Sequence, residues 1–328
     1  MKYLFYPGCS MESTARPYLQ SLQAIEDKLV STFTEIEDWN CCGATEYMAA
    51  YRIPAYALVA RNLALAETQA NGTNTLLAAC SACYLNLAKT EKYMRTDREL
   101  DQTVNEALAA GDLHHTPGSV QVRHLLDVLY NDIGAEKIKE TTERPLTGLR
   151  VAPYYGCMIV RPDPDNRWTE HEFPTALEEL IASTGAEAVE FPLRTHCCSG
   201  HMPQISADSA YTMIRRLVHG AVVSGADLMV TLCPMCQLNL DAYQVEMNKH
   251  FDTNYHMPIL YFTQLLGLAF GVPAEELGIG KEFVSAAPAL KRIGVPLEEP
   301  EAGGPRKRPS KPEGLPMPQM QTHNGGPR

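Results

Sequence analysis

Residues 76–87 read LLAACSACYLNL, and residues 229–240 read MVTLCPMCQLNL. In both copies an apolar run leads into a C-x-x-C step, and the step leads into a helix-prone segment. Outward from them the same order recurs. Cys9 is followed after thirty-one residues by the adjacent pair Cys41-Cys42, and after thirty-seven more by Cys80 and Cys83. Cys157 is followed after thirty-nine residues by Cys197-Cys198, and after thirty-four more by Cys233 and Cys236. These two sets use all ten cysteines of the chain. Tyr6-Pro7-Gly8-Cys9 corresponds to Tyr154-Tyr155-Gly156-Cys157, so the self-similarity extends beyond the C-x-x-C steps. A fixed offset of about 150 residues means internal duplication.

Each cysteine element follows a short apolar or β-prone run: residues 3–6, 32–36 and 75–79 in the first half, and 150–154, 187–191 and 228–232 in the second. Helical spacing fills the intervals. Leu19, Leu22, Ile25 and Leu29 form one stripe, Pro54 opens a helix over 57–70, and Leu177, Leu180 and Ile181 repeat the arrangement. Strands alternating with helices predict an α/β fold of two pseudo-symmetric, Rossmann-like halves with parallel sheets. In open sheets of this kind ligands sit beyond the carboxyl ends of the strands, which is where every cysteine element falls. Distant cysteines are thereby expected to converge in space. The boundaries expected are 1–148, with a helical insert at about 90–143 carrying Val122, Leu125, Leu126 and Leu129 on one face, and 149–298. A Pro/Gly-rich stretch over 299–328 is too poor in apolar residues to offset its ordering entropy and is expected to be a disordered tail.

The 328 residues suffice for two cores, and 45% hydrophobic content is ordinary for a globular protein. A formal charge of -11 argues against nucleic acid as a partner, because that affinity rests on basic patches. No run reaches the roughly 18 to 20 apolar residues of a membrane span, and residues 261–272, the longest candidate, read as a buried helix. The first residues are broken too early by Pro7 and Gly8 for a signal peptide, so a cytoplasmic chain without direct membrane insertion is expected. In a reducing compartment C-x-x-C steps are more often metal ligands or redox groups than structural disulfides.

Soft thiolates select zinc, copper(I) or iron–sulfur clusters. A structural zinc wants four ligands in a tetrahedron. Each half offers five, two of them on consecutive residues whose side chains point apart unless the backbone bends. That suits a larger multi-iron core better than one ion. Zinc in one half, or inert buried thiols, remain the alternatives.

On these residues the chain resembles the cysteine-rich, or CCG, domain, and its tandem form over residues 1 to about 295 resembles the catalytic, B-type subunit of heterodisulfide reductases. Both halves carry the lone cysteine after glycine, the pair followed by Gly43 or by Ser199-Gly200, and the closing C-x-x-C. The resemblance implies a noncubane [4Fe-4S] cluster in each half. Cys9, Cys41, Cys42, Cys80 and Cys83 would hold one, and Cys157, Cys197, Cys198, Cys233 and Cys236 the other. It implies an oxidoreductase acting on a sulfur group, which reduces or reversibly forms a small disulfide between the clusters. It also implies two partners in the same complex, a ferredoxin-like subunit fed by a flavin-containing subunit. The sequence itself holds no C-x-x-C-x-x-C-x-x-x-C-P run, no glycine-rich dinucleotide fingerprint and no P-loop, so electrons are expected from another chain.

His196 and His201 flank the second cysteine pair and are candidate proton donors to thiol products; hydrogen bonding within the loop is the alternative role. Arg161 is a candidate partner for an anionic group on the substrate, or a solvated surface residue. Met202 and Met235 sit beside cysteines, where they line a cleft or fill core. Met158 follows Cys157 where methanogen-type members often carry His, which points away from the coenzyme M–coenzyme B disulfide toward another disulfide, persulfide or lipoyl-type substrate. Two rival functions stand beside this one: an electron-transfer subunit of a succinate- or quinone-linked complex, and a zinc-stabilised interaction module.

Overall fold

Two four-stranded sheets, both wholly parallel, organise the chain in the computed structural model, which describes residues 1–44, 50–70, 72–160 and 170–297. Arg161 and the expected tail over 299–328 lie outside the described residues. The first sheet has the order β2-β1-β3-β4, formed by β1 (Lys2–Tyr6), β2 (Thr32–Glu35), β3 (Thr75–Ala78) and β4 (Gln121–His124). The second repeats it as β6-β5-β7-β8, with β5 (Arg150–Tyr154), β6 (Glu187–Ala188), β7 (Leu228–Thr231) and β8 (Ile259–Tyr261). Registers match as well: Leu4 lies opposite Leu76 in one sheet and Val151 opposite Leu228 in the other. All four residues of β7 are buried, as are the last three of β3. Strands covered on both faces read as continuous apolar runs rather than alternating ones.

The helices that matter for the site follow these strands. Helix α1 (Arg16–Glu26) buries Tyr18, Leu22 and Ile25, one stripe of a helix whose other face is polar. Helix α2 (Arg52–Thr68) is buried on most sides, which its alanines permit by leaving room for neighbours. Helix α3 (Ser81–Thr96) starts at Cys80 and helix α4 (Pro234–Ala242) starts at Cys233. Helix α5 (Phe262–Ala269) is buried at every residue and packs along α1. Met1–Leu297 thereby close into one compact unit whose core is shared between the halves. Among the described residues no helix is long and apolar enough to cross a membrane.

The six expected strands are present, although β6 covers only two of the five residues expected. The stretch 90–143 is largely helical but also supplies β4, the fourth strand of the first sheet. Val122 is an inward residue of that strand, whereas Leu125, Leu126 and Leu129 belong to the helical turns after it. Their spacing mimics one helix face because the inward Val122 stands only three residues before the turns begin at Leu125. β8 was hidden in the same way, as the apolar lead into α5.

Candidate thiolate centre

Every cysteine element leaves the carboxyl end of a strand. β1 ends at Tyr6, and Pro7-Gly8 turns the chain to Cys9; β5 ends at Tyr154, and Tyr155-Gly156 turns it to Cys157. Gly8 and Gly156 adopt positive φ of 75° and 69°. A Cβ there would stand 2.9 Å from Cys83 Sγ or 3.0 Å from Cys236 Sγ, so both turns require glycine twice over, for conformation and for space.

The two tyrosines closing the strands do equivalent work. Tyr6 donates its hydroxyl to the Asn40 carbonyl at 2.7 Å, and Tyr154 donates to the His196 carbonyl at 2.7 Å. Each acceptor immediately precedes a cysteine pair, so the lone-cysteine turn and the paired-cysteine loop are tied together in each half. In the second half, the Tyr155 and Gly156 amides also donate to the Arg194 carbonyl.

The ten sulfurs form one continuous string. Cys9 lies 3.6 Å from Cys41, Cys42 lies 3.2 Å from Cys83, and Cys80 lies 3.9 Å from Cys233, which belongs to the other half. Cys83 in turn neighbours Cys80, Cys233 neighbours Cys236, and the second half continues through Cys198 and Cys197 to Cys157. The middle of the string is buried, and its ends approach the surface: Cys9 and Cys41 are exposed, Cys157 and Cys197 half-buried.

These contacts divide the thiols by acidity. Cys41 is held down to about 2 by thiol donors from Cys42 and Cys9, while Cys42 is pushed up to about 12 by Cys41. The second half repeats this. Cys197 is held down to about 2 by Cys157 and Cys198, and Cys198 is pushed up to about 12 by Cys197. In the interior Cys233 is held well down by Cys236 and Cys80. Cys9, Cys80, Cys83, Cys157 and Cys236 are pushed up by their thiol neighbours and by burial, so ligation of a soft metal, which needs the deprotonated sulfur, would release protons from most of the string.

A knot of buried polar groups fixes the place where the halves meet. Tyr18 on α1 donates to the Ala79 carbonyl at 2.8 Å and reaches the Leu232 carbonyl at 3.4 Å. Those carbonyls belong to the residues directly before Cys80 and Cys233. The Tyr18 ring stacks on Tyr261 at 4.3 Å, and Ser21 bonds Thr263 across the same seam at 2.6 Å. His124, at the end of β4 where Tyr261 ends β8, is fully buried. Its Nδ1 accepts the Leu126 amide at 3.0 Å, leaving the hydrogen on Nε2 toward Ser81 and the same carbonyls.

Burial lowers the His124 pKa from 6.5 to about 4. An unfolded chain therefore binds a proton that the folded chain refuses between those values. The resulting stability is fully present above pH 6.5 and is lost as pH falls to about 4. Thermal denaturation from pH 7 to pH 4 is expected to show this loss, and His124→Gln, neutral throughout, is expected to show a shallower one.

His196 lies beside the second pair with a buried Nδ1 that has no hydrogen-bond partner among the described residues. His201 stands at the start of the short helix Met202–Ile205. The structure thus keeps both histidines at the Cys197-Cys198 loop. Met158, next to Cys157, is 37% exposed, and Met235 is half-buried beside Gly200. Sequence reasoning missed Asn86 and Asn239, which bond the loops of the two cysteine pairs. Their signal was the LNL shared by both C-x-x-C segments.

Two parallel α/β halves thus bring five thiols each into a single string of sulfurs. The chain belongs to the family described as "CCG: Cysteine-rich domain", which matches residues 3–88 and 151–241. Over 285 residues it is 35% identical to the 8-methylmenaquinol:fumarate reductase membrane anchor subunit of Wolinella succinogenes, covering 87% of this chain and 98% of that protein. It is 32% identical over 291 residues to the B-type subunit of the ferredoxin:CoB-CoM heterodisulfide reductase of Methanosarcina mazei, covering 88% and 92%. A protein of Archaeoglobus profundus, described as like the B-type subunit of heterodisulfide reductase, is 31% identical over 285 residues, covering 84% and 93%. Among solved structures, a hypothetical protein from Helicobacter pylori superposes with a TM-score of 0.68 at 16% identity, a likeness of fold alone. That superposition covers 87% of this chain and about half, 52%, of that one.

Proposed function

We propose that this chain is the B-type subunit of a heterodisulfide-reductase-like complex and reduces, or reversibly forms, a small disulfide between two noncubane [4Fe-4S] clusters. The observation that carries the proposal is the string of ten sulfurs, five from each half, joined by the 3.9 Å contact between Cys80 and Cys233. Relatives named as heterodisulfide reductase subunits support the coarser reading, a CCG subunit of an oxidoreductase complex that handles electrons.

The donor set fits iron–sulfur ligation. All ten donors are thiols, five from each half, the soft donor set that iron–sulfur ligation takes. An extended string suits a multi-iron core, whereas a single zinc asks for a tetrahedral knot. Cys9, Cys41, Cys42, Cys80 and Cys83 would hold one cluster; Cys157, Cys197, Cys198, Cys233 and Cys236 would hold the other. Bound clusters would supply one electron per half, matching the two that opening an S–S bond consumes. The chain's own residues have distinct tasks. Tyr6, Tyr154 and the Tyr18–His124 knot hold the ligand loops. His196 and His201, beside the Cys197-Cys198 pair, would give a thiolate product its proton, and the unpartnered His196 Nδ1 supports that role for His196. Arg161 is proposed to meet an anionic group of the substrate. Electrons would come from a ferredoxin-like subunit, itself fed by a flavin-containing subunit, in the cytoplasm.

The relative from Wolinella favours a second reading, in which the same two centres pass electrons within a fumarate- or quinone-linked, membrane-associated complex without opening a disulfide. Anaerobically purified protein, reduced methyl viologen and a panel of small disulfides and persulfides decide between them. The first reading expects two viologens oxidised per disulfide consumed. Iron-loaded protein that takes up electrons yet leaves every disulfide intact, and that purifies with a succinate-oxidising flavoprotein, would establish the second.

A further inference from the structure

Asn86 and Asn239 occupy equivalent places, three residues beyond Cys83 and Cys236 on the second turns of α3 and α4. Residues three apart share a helix face, so each amide lies beside the second cysteine of its C-x-x-C step. Both side chains are buried, Asn239 at 2% exposure. Each reaches across to the loop of the cysteine pair. Asn86 Nδ2 donates to the Cys42 carbonyl at 2.9 Å. Asn239 Nδ2 lies 2.7 Å from the Gly200 carbonyl, 3.1 Å from the Cys198 carbonyl, 3.4 Å from Ser199 Oγ and 3.7 Å from Cys198 Sγ. With two hydrogens to give, the amide is best satisfied by the two carbonyls, and these bracket Ser199.

The bracketed residues are in an unusual conformation. Ser199 has φ +84° and Gly200 φ +57°; in the other half Gly43 has φ +62°. A left-handed serine is uncommon and strained, so the bend needs something outside itself to persist. Such a bend turns backbone N–H groups toward an anion on its concave side. Here the Gly43 amide points at Cys41 Sγ, 3.5 Å away, and the Ser199 and Gly200 amides point at Cys197 and Cys198.

We propose that Asn86 and Asn239 are positioning residues: each clamps its Cys-Cys turn in the left-handed bend that aims backbone N–H groups at the paired sulfurs, and so raises the electron affinity of the group those sulfurs hold. The proposal rests on the iron–sulfur reading of the site. An N–H aimed at a ligand sulfur stabilises the more negative, reduced state, so loosening the clamp makes its own centre harder to reduce.

The test is a redox titration followed by electron paramagnetic resonance on anaerobically purified full-length chain, with iron and acid-labile sulfide measured alongside. Asn239→Ala is expected to shift one of two signals so that its reduced-to-oxidised ratio at a fixed poise falls about tenfold, which is 59 mV for one electron. Asn86→Ala is expected to shift the other signal and leave the first in place. Loss of about half the iron from a variant with a native circular dichroism spectrum would also support the clamp. If Asn239→Ala does not fold, Asn239→Ser is read by the same criteria. Unchanged midpoints in both variants, or both signals moving together in either one, would overturn the proposal. Wild-type protein without iron and sulfide would instead remove the reading beneath it.

Discussion

Cys198→Ser is expected to purify with about half the iron and acid-labile sulfide of the wild type, and to lose disulfide turnover altogether. Cys198 is 4% exposed and sits between Cys197 and Cys236 in the sulfur string, so no solvent ligand can easily replace it. A serine hydroxyl is nearly isosteric but hard, and soft iron–sulfur ligation discriminates against it. Cys42→Ser, whose residue is 2% exposed beside Cys83, is expected to empty the other half and spare the second. Either variant keeping its full iron content would refute the ligand assignment. Either one keeping full turnover would refute the need for two centres.

Gly156→Ala and Gly8→Ala are expected to destabilise the chain by about 2–4 kcal/mol each, lowering Tm by about 2–4 °C per kcal/mol. Two costs add. Positive φ is unfavourable for alanine by roughly 1–2 kcal/mol, and the new methyl would crowd Cys236 Sγ or Cys83 Sγ at 3.0 or 2.9 Å. Gly118 supplies the control, since it has φ +92° and nothing within 4 Å of an added Cβ. Gly118→Ala should therefore show the conformational cost alone. Equal Tm losses in all three variants would mean that the sulfurs yield freely and that the turns are not tight around them.

The sequence was most informative where physics leaves few choices. Continuous apolar runs such as 75–79 and 228–232 can only be buried strands when a turn and a helix follow them, and β3 and β7 lie there. The connection rules of parallel sheets then carried the cysteine elements to one edge. Less legible was whatever depends on the partner half. β4 and β8 are short, and each runs straight into helical turns, so periodicity merges strand with helix. Tyr18 reads as one more apolar residue on a helical stripe; its role between the Ala79 and Leu232 carbonyls exists only once two halves are packed together. Asn86 and Asn239 were visible as repeated letters, but their purpose depends on the left-handed bends they face.

The most direct test of the account is whether the two centres are neighbours. Electron paramagnetic resonance of the fully reduced, iron-loaded chain should show each centre's signal broadened and its relaxation accelerated by the other, as the Cys80–Cys233 contact demands. The interaction should vanish in Cys42→Ser and Cys198→Ser, each of which retains a single centre. A wild-type spectrum equal to the simple sum of the two single-centre spectra would contradict the shared interior on which the account rests.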